Sequence, residues 1–254
     1  MPAPLRLEIE DQVATVTLDR PPVNALNLEL LTGLRDLLPR LRAPDVRAVV
    51  LRSAGTTFSA GLDLVEIGGY SEAEAAAFSE VFDEMMIGWF SLEIPMVAAI
   101  CGHAIAGGLV LAALADFRLG AEGRGKLGLT EILVGVPFPA SALTPVVSAF
   151  PSAVLPELLY RGTTFSMAEG LAQGLLHRLV APLDLDAEAL ALARELGGRT
   201  RAGFSGTKRG LRAPALANLH AARPDGRDPV WGLWRSDEVQ REISAYRARV
   251  LKRG

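Results

Sequence analysis

The sequence predicts an α/β fold, with a parallel sheet in its first part and a mainly helical second part. Three observations carry this expectation. Apolar strand patterns alternate with helical ones through the first half of the chain. Two of those strands run directly into glycine-bearing turns, and beyond Glu131 the pattern becomes helical with proline breaks. Strand–helix alternation of this kind implies parallel strands whose ligand loops lie at their carboxyl ends.

The chain opens on a hairpin. Leu5-Arg6-Leu7-Glu8-Ile9-Glu10 alternates apolar and polar as a half-buried strand does, Asp11-Gln12 supplies the turn, and Val13-Ala14-Thr15-Val16-Thr17-Leu18 returns. Pro21-Pro22 ends the strand, because proline cannot donate to a ladder. Leu26, Leu30, Leu31, Leu34, Leu37 and Leu38 then recur at helical spacing as far as Pro39. A strand over residues 46–52 leads into Phe58-Ser59-Ala60-Gly61-Leu62-Asp63. The helix over residues 71–90 begins with Ser71 and Glu74 at the spacing of a capping box. Met96-Val97-Ala98-Ala99-Ile100 is a buried strand entering His103-Ala104-Ile105-Ala106-Gly107-Gly108 and a small-residue helix, and Asp116-Phe117-Arg118-Leu119 reads as one more strand. Pro137, Pro139, Pro145, Pro151 and Pro156 interrupt the helices that follow. Residues 213–229 carry prolines and Asp225-Gly226 and read as a loop or linker. A last helix over residues 237–252 puts Val239, Ile243, Tyr246 and Val250 on one stripe, a face expected to pack on a neighbouring subunit.

At 254 residues the chain holds one domain with a full core, or one domain with a small appendage. Half the residues are hydrophobic, 22% are charged and the net charge is -3, which fits a soluble protein without a nucleic-acid footprint. The basic residues Arg241, Arg247, Arg249, Lys252 and Arg253 read as a solvated face or subunit contact. A single cysteine, Cys101, excludes an internal disulfide and suits a reducing, cytoplasmic compartment. Its place after a buried strand makes it a small hydrophobe, not a nucleophile. The N-terminus lacks a signal peptide's apolar core, and no uncharged apolar run reaches the roughly 18 residues of a membrane span. Three scattered histidines offer no metal cluster.

The chemistry rests on the two glycine segments and on Glu131. Glycine after a strand admits a positive φ and lets a ligand approach the main chain. Helix N-termini leave N–H groups unpaired and carry partial positive charge. Two such donors from two loops would form an oxyanion hole, in which losing one donor costs about 3–4 kcal/mol. Taken alone, tight turns and close helix packing account for the glycines equally well, and neither segment has the spacing of a dinucleotide or triphosphate loop.

Four strings change that balance: Pro21-Pro22-Val23-Asn24-Ala25-Leu26, Phe58-Ser59-Ala60-Gly61-Leu62-Asp63-Leu64, Ala106-Gly107-Gly108 and Gly128-Leu129-Thr130-Glu131. In this order and spacing the chain resembles the crotonase (enoyl-CoA hydratase/isomerase) superfamily over nearly its whole length, and most of all the mitochondrial-type Δ3,Δ2-enoyl-CoA isomerases. The resemblance implies a crotonase-like ββα spiral over residues 1–190 that carries an acyl-CoA site. It implies a helical C-terminal region over residues 191–254 near subunit contacts, in a homotrimer or dimer of trimers. It further implies no cofactor, CoA entering only as part of the substrate thioester.

Residue by residue, the resemblance assigns the two carbonyl-binding N–H groups to Leu62 and Gly107 and the acid–base role to Glu131. Ala60, Gly61, Asp63, Leu64 and Gly108 frame the donor loops, with Ala60 and Leu64 on the acyl-CoA path. Asn24, Ala25 and Leu26 match the stretch beside the adenine of CoA, although Leu26 also reads as the start of the first helix. Thr130 is placed to touch the acyl chain and Phe138 to wall its pocket. Flanked by Leu129 and Ile132-Leu133-Val134, Glu131 is expected to be desolvated and its pKa raised. Hydratases of the superfamily carry a second glutamate where this chain has Val110. Valine can neither accept a proton nor order a water, so the resemblance favours isomerisation over hydration. Hydration or another crotonase reaction such as acyl-CoA hydrolysis is the alternative within the enzymes. A non-catalytic acyl-CoA-binding protein is the alternative outside them.

Other polar residues are assigned structural roles. Asp63 braces its own loop, Glu66 is a solvated face residue, His103 is a hydrogen-bonded structural histidine, and Asp116 and Arg118 are expected to pair with neighbours in the core. Met85, Met86, Trp89 and Phe90 belong to the core or a pocket wall.

Overall fold

The computed structural model describes residues 4–123 and 125–251. Strand β1 (Leu5–Glu10) pairs antiparallel with β2 (Val13–Leu18). Asp11 and Gln12 both take positive φ, 48° and 65°, the two-residue turn whose twist matches that of a hairpin. Helices α1 (Leu28–Asp36) and α2 (Leu38–Leu41) follow, the latter taking Pro39 in its first turn, where no intrahelical N–H is needed.

The spiral then begins. β3 (Ala48–Ser53) and β4 (Thr57–Ser59) precede α3 (Leu64–Ile67) and α4 (Glu72–Phe90). β5 (Met96–Ile100) and β6 (His103–Ile105) precede α5 (Gly107–Ala113), and β7 (Phe117–Ala121) and β8 (Lys126–Gly128) complete the third turn. Each turn gives its first strand to one sheet and its second to another. Among the strands of the spiral and the hairpin, the larger sheet runs β1-β2-β3-β5-β7 and the smaller β4-β6-β8, with every pairing parallel but that of β1 and β2. This is the ββα spiral that the resemblance implies. Ser71 and Glu74 form the expected capping box of α4.

The helical second part is α6 (Ala140–Ala149), α7 (Leu155–Leu159), α8 (Met167–Ala172), α9 (Leu185–Gly197), α10 (Arg201–Ala221), α11 (Val230–Trp234) and α12 (Asp237–Leu251). Two three-residue strands within it escape the sequence pattern: β9 (Thr164–Ser166) edges the smaller sheet and β10 (Arg178–Val180) the larger. Both sheet faces of the larger sheet are covered. Ala14, Val16, Val49, Leu51 and Ala98 face the main core with α1 and α4, while Val13, Ala48, Val50, Val97 and Ala99 face Leu185, Ala189 and Ala193 of α9. Burial on both faces explains why β2 and β5 are buried at every residue. Met85, Met86, Trp89 and Phe90 are core residues. Cys101, half-buried beyond β5, hydrogen-bonds with Ser53 Oγ at 3.3 Å, and burial pushes its thiol pKa up.

Residues 213–229 correct the sequence expectation. α10 runs on through Pro214 to Ala221, and only the short turn Pro224–Gly226 and its flanks are irregular. Cations on α10 anchor it to the sheet. Lys208 Nζ donates to Asp116 Oδ2 and to the Ile94 carbonyl, each at 2.7 Å, and Arg212 Nη2 donates to Asp116 Oδ1 at 2.7 Å. Those anchors offset the one hydrogen bond that proline removes. Arg118 spends its guanidinium on the Leu175, Ala115 and Ala149 carbonyls. In the last helix Val239 and Ile243 pack on Leu64, Val136 and Trp234 of the same chain. The Val250 and Arg249 side chains, Lys252 and Arg253 lie outside the described residues. Among the described residues no helix is long and apolar enough to cross a membrane.

Lys208 is 5% exposed, and burial pushes its pKa down to about 8 against the pull of Asp116. Lys208→Ala leaves Asp116 with one cation and strips Ile94 of its donor. It is expected to cost about 3 kcal/mol of stability, read in urea titration as a lower midpoint at unchanged m-value.

Candidate active site

Three loops leave the carboxyl ends of β4, β6 and β8, which are neighbours in one parallel sheet. The first carries Ala60-Gly61-Leu62-Asp63. Leu26 forms a bridge with Leu62, donating its N–H to Gly61 O at 2.8 Å and accepting from Asp63 N at 2.9 Å. A parallel bridge made this way uses the groups on either side of Leu62 and turns the Leu62 N–H away from Leu26. Gly61 holds φ at +84°, and a Cβ on it would lie 2.8 Å from Gly107 N and from Ile105 O, so no side chain fits.

The second loop runs from β6 through Ala106 into α5. Ala106 has φ 51° and ψ -128°, a conformation strained for any residue with a side chain, and its N–H donates to Gly128 O at 2.7 Å. A Cβ on Gly107 would lie 3.2 Å from Leu26 Cδ1 and 3.5 Å from Leu62 N. A Cβ on Gly108 would collide with the Ser59 carbonyl. The two loops therefore meet backbone to backbone, with the space of one missing methyl in front of the Leu62 amide. Among the described residues neither Leu62 N nor Gly107 N donates to a protein acceptor. Gly107 N is free because it belongs to the first turn of a helix.

The third loop follows β8 with Leu129, fully buried, and half-buried Thr130, which leads into the single 3-10 turn Glu131–Val134. Glu131 Oε2 is sealed from solvent and has no hydrogen-bond partner among the described residues. Burial pushes the Glu131 pKa up to about 8, against the opposing effect of its own backbone N–H. Of the apolar neighbours, Leu129 is buried and Val134 half-buried, while Ile132 and Leu133 are 49% and 60% exposed. Helix α12 packs against this turn and brings Glu242 against Gly135.

The remaining sequence candidates fall around these loops. Asn24, 2% exposed with φ 50°, spends its amide on the fold: Oδ1 accepts from Arg20 N, and Nδ2 donates to the Ala54 and Thr57 carbonyls. Ala25 is half-buried and its carbonyl accepts from Arg20 Nη1 at 3.0 Å. Leu26 is fully buried and extended; the first helix opens two residues later, capped by Asn27. Ala60 is half-buried and Leu64 buried. Asp63 caps α3, accepting from Glu66 N at 3.0 Å, and pairs with Arg20 at 2.9 Å. Phe138 is half-buried against the main core, and Val110 is 1% exposed within it. His103 is exposed at the start of β6, not held in the core.

Glu66 is the residue that sequence reasoning missed. Its carboxylate accepts from Arg20 Nη2 at 3.0 Å, from Asn27 Nδ2 at 3.0 and 3.1 Å, and from Tyr70 Oη at 2.9 Å. Tyr70 in turn accepts from Leu28 N, and burial pushes its hydroxyl up to about 12, so it stays a donor. The Asp63/Glu66 spacing on one side of the loop and Arg20/Asn27 on the other was the available signal. Beyond α3 lies a cavity of about 750 Å³ lined by Ile67, Tyr70, Phe78, Trp231, Trp234 and Ile243 among others. Trp234 and Ile243 also pack with Leu64 and Val136.

Residues 8–249 match the family model described as enoyl-CoA hydratase/isomerase. The chain is 34% identical over 202 residues to a "probable enoyl-CoA hydratase" of Mycobacterium avium, covering 79% of this chain and 78% of that one. It is 32% identical over 208 residues to (E)-benzylidenesuccinyl-CoA hydratase of Thauera aromatica, with 81% and 80% covered. Its fold superposes on human mitochondrial delta3-delta2-enoyl-CoA isomerase with a TM-score of 0.91 at 27% identity, covering 98% of this chain and 99% of that one. The three loops, the spiral that presents them and this match over nearly the whole chain make it a member of the enoyl-CoA hydratase/isomerase family.

Proposed function

We propose that this enzyme is a Δ3,Δ2-enoyl-CoA isomerase acting by a 1,3-proton shift. One observation carries the reading: Glu131 is a lone carboxyl with a sealed, unpartnered oxygen and a pKa near 8, while position 110 is an apolar core residue. The Glu131 carboxylate takes a proton from C2 of a 3-enoyl thioester. The C–H electron pair becomes the C1–C2 double bond of a dienolate, whose oxygen accepts from the Leu62 and Gly107 amides. Glu131 then returns its proton to C4, the electrons shift to form the C2–C3 double bond, and the carbonyl re-forms. No group is consumed, and one acid serves both steps because its pKa lies near the working pH.

The hydratase names of the two sequence relatives support hydration as the second reading. In it Glu131 alone would orient the water, since Val110 offers it no acceptor. Offering 3-enoyl-CoA and 2-enoyl-CoA to the protein separates the two. The isomerase reading expects conversion of the 3-enoyl ester and little hydration of the 2-enoyl ester; efficient hydration defeats it. Tight binding of both esters without turnover would instead mark a binding protein.

Glu131→Gln is expected to lower kcat for isomerisation about 10³-fold while leaving CoA-ester binding measurable by calorimetry. In the wild type the base must be ionised, so kcat/KM is expected to rise with pH through about 8 and then level off. The same group has a stability signature. Its folded pKa lies above the unfolded carboxyl value of 4.5, so its favourable contribution is complete below pH 4.5 and is lost as pH rises through about 8. Thermal melts of Glu131→Gln and wild type should therefore diverge in favour of the mutant as pH increases across that window.

A further inference from the structure

We propose that Glu66 is a positioning residue that aims the Leu62 N–H at the substrate carbonyl. The inference rests on the assignment of Leu62 and Gly107 as the carbonyl donors. The direction of the Leu62 N–H is set by one residue, Leu26, whose N–H and C=O take the groups on either side of it. Leu26 belongs to a different stretch of chain, the connection between β2 and α1, and its own side chain reaches Gly107. Whatever fixes that connection against the first loop therefore fixes the amide.

Glu66 does this from both sides of Leu26. On one side Arg20 bridges the Glu66 and Asp63 carboxylates at 3.0 and 2.9 Å, while its other terminal nitrogen holds the Ala25 carbonyl at 3.0 Å. On the other side Asn27 donates to both oxygens of Glu66 and caps α1 through its own Oδ1. Tyr70 adds a third tie, from Glu66 to Leu28 N. Ala25, Asn27 and Leu28 are thus all anchored, directly or through one side chain, to a single carboxylate four residues beyond the amide they orient. A bond from the helix cap Asp63 to the same Arg20 closes the ring on the loop side. The hydrogen bonds of Glu66 go to Arg20, Asn27 and Tyr70, so its effect on the Leu62 amide passes through the backbone.

The test uses a conjugated thioester, cinnamoyl-CoA, whose absorption moves to longer wavelength when its carbonyl is polarised. It is bound to Glu131→Gln protein to prevent turnover, and the shift is read at saturation with and without Glu66→Ala. In parallel, kcat and KM for a 3-enoyl-CoA are measured for Glu66→Ala, Glu66→Gln and Tyr70→Phe in the otherwise native protein. The expected result is a smaller wavelength shift with Glu66→Ala and a kcat lowered about 10- to 100-fold with KM moved far less. Glu66→Gln, which keeps an acceptor for Arg20 or Asn27, should recover part of both. If Glu66→Ala does not fold, Glu66→Gln and Tyr70→Phe carry the same comparison, each with a smaller loss. An unchanged shift and unchanged kcat in folded variants overturns the proposal and leaves the donor assignment standing. A kcat loss that merely follows the folded fraction, at unchanged shift, overturns it as well. Absence of any shift in the Glu131→Gln protein overturns the donor assignment, and this proposal with it.

Discussion

The structure depends on one close approach: the backbone at Gly61 and the backbone at Gly107 meet at a distance that no side chain would permit. Every neighbouring choice serves it. Ala106 is held in a strained conformation so that α5 can start at the contact, and its N–H is tied to Gly128 on the adjacent strand. Gly108 lets the first turn of α5 pass over the Ser59 carbonyl. Strain of this kind costs of order 1–3 kcal/mol and persists only where the surroundings over-determine it. Here they do, because β4 and β6 are neighbours in the smaller sheet and α5 is buried at every residue. The outcome is that, among the described residues, the Leu62 and Gly107 amides have no protein acceptor, and on the proposed reading they receive an oxygen carrying developing charge.

Glu131 follows a different logic, since its cost is electrostatic. A carboxyl sealed without a partner loses most of the stabilisation of its charged form, and the raised pKa records that loss. The turn that carries Glu131 is packed from far along the chain, with α12 against the 3-10 turn and Ile243 and Val239 among Leu64, Val136 and Trp234. The same helix is tied to the loop after α3, where Arg247 Nη1 donates to the Gly68 carbonyl. A terminal helix therefore touches both the segment that carries the acid and the segment that follows the first amide donor. Val239, Ile243 and Tyr246 of its apolar stripe pack within the chain.

What could be read in the sequence was local. The hairpin, the capping box at Ser71 and Glu74, the buried strand at Met96–Ile100 and both glycine turns all rest on periodicity or on residues a few positions apart. The misreadings share the opposite property. Pro214 signals a break, and its helix survives because Lys208 and Arg212 reach Asp116 across 92 and 96 residues. Glu66 looks like a solvated face residue because its partners, Arg20 and Asn27, lie 46 and 39 residues earlier. The desolvation of Glu131 was expected from its apolar neighbours, of which Leu129 is buried and Val134 half-buried while Ile132 and Leu133 are exposed. Strands β9 and β10, three residues each, are too short to show a period and exist because sheet edges were waiting for them.

Position 110 links the electrostatics to the choice of reaction. Val110 lies in the first turn of α5, and it is packed in the main core. A carboxylate there would bring a second buried charge toward the site, and like charges push each other's pKa upward. Glu131 already stands near 8 from burial alone, so a second acid would hold it protonated further into the alkaline range unless water entered to solvate both. Water is what a hydration needs and what a proton shift must exclude, because it would compete for the proton between C2 and C4. On the proposed reading a valine spares the site that second charge and leaves Glu131 as a single group that would both take a proton and give it back. On that reading the apolar residue supports the proposed isomerisation through the pKa it leaves to Glu131, and not only through the acceptor it lacks.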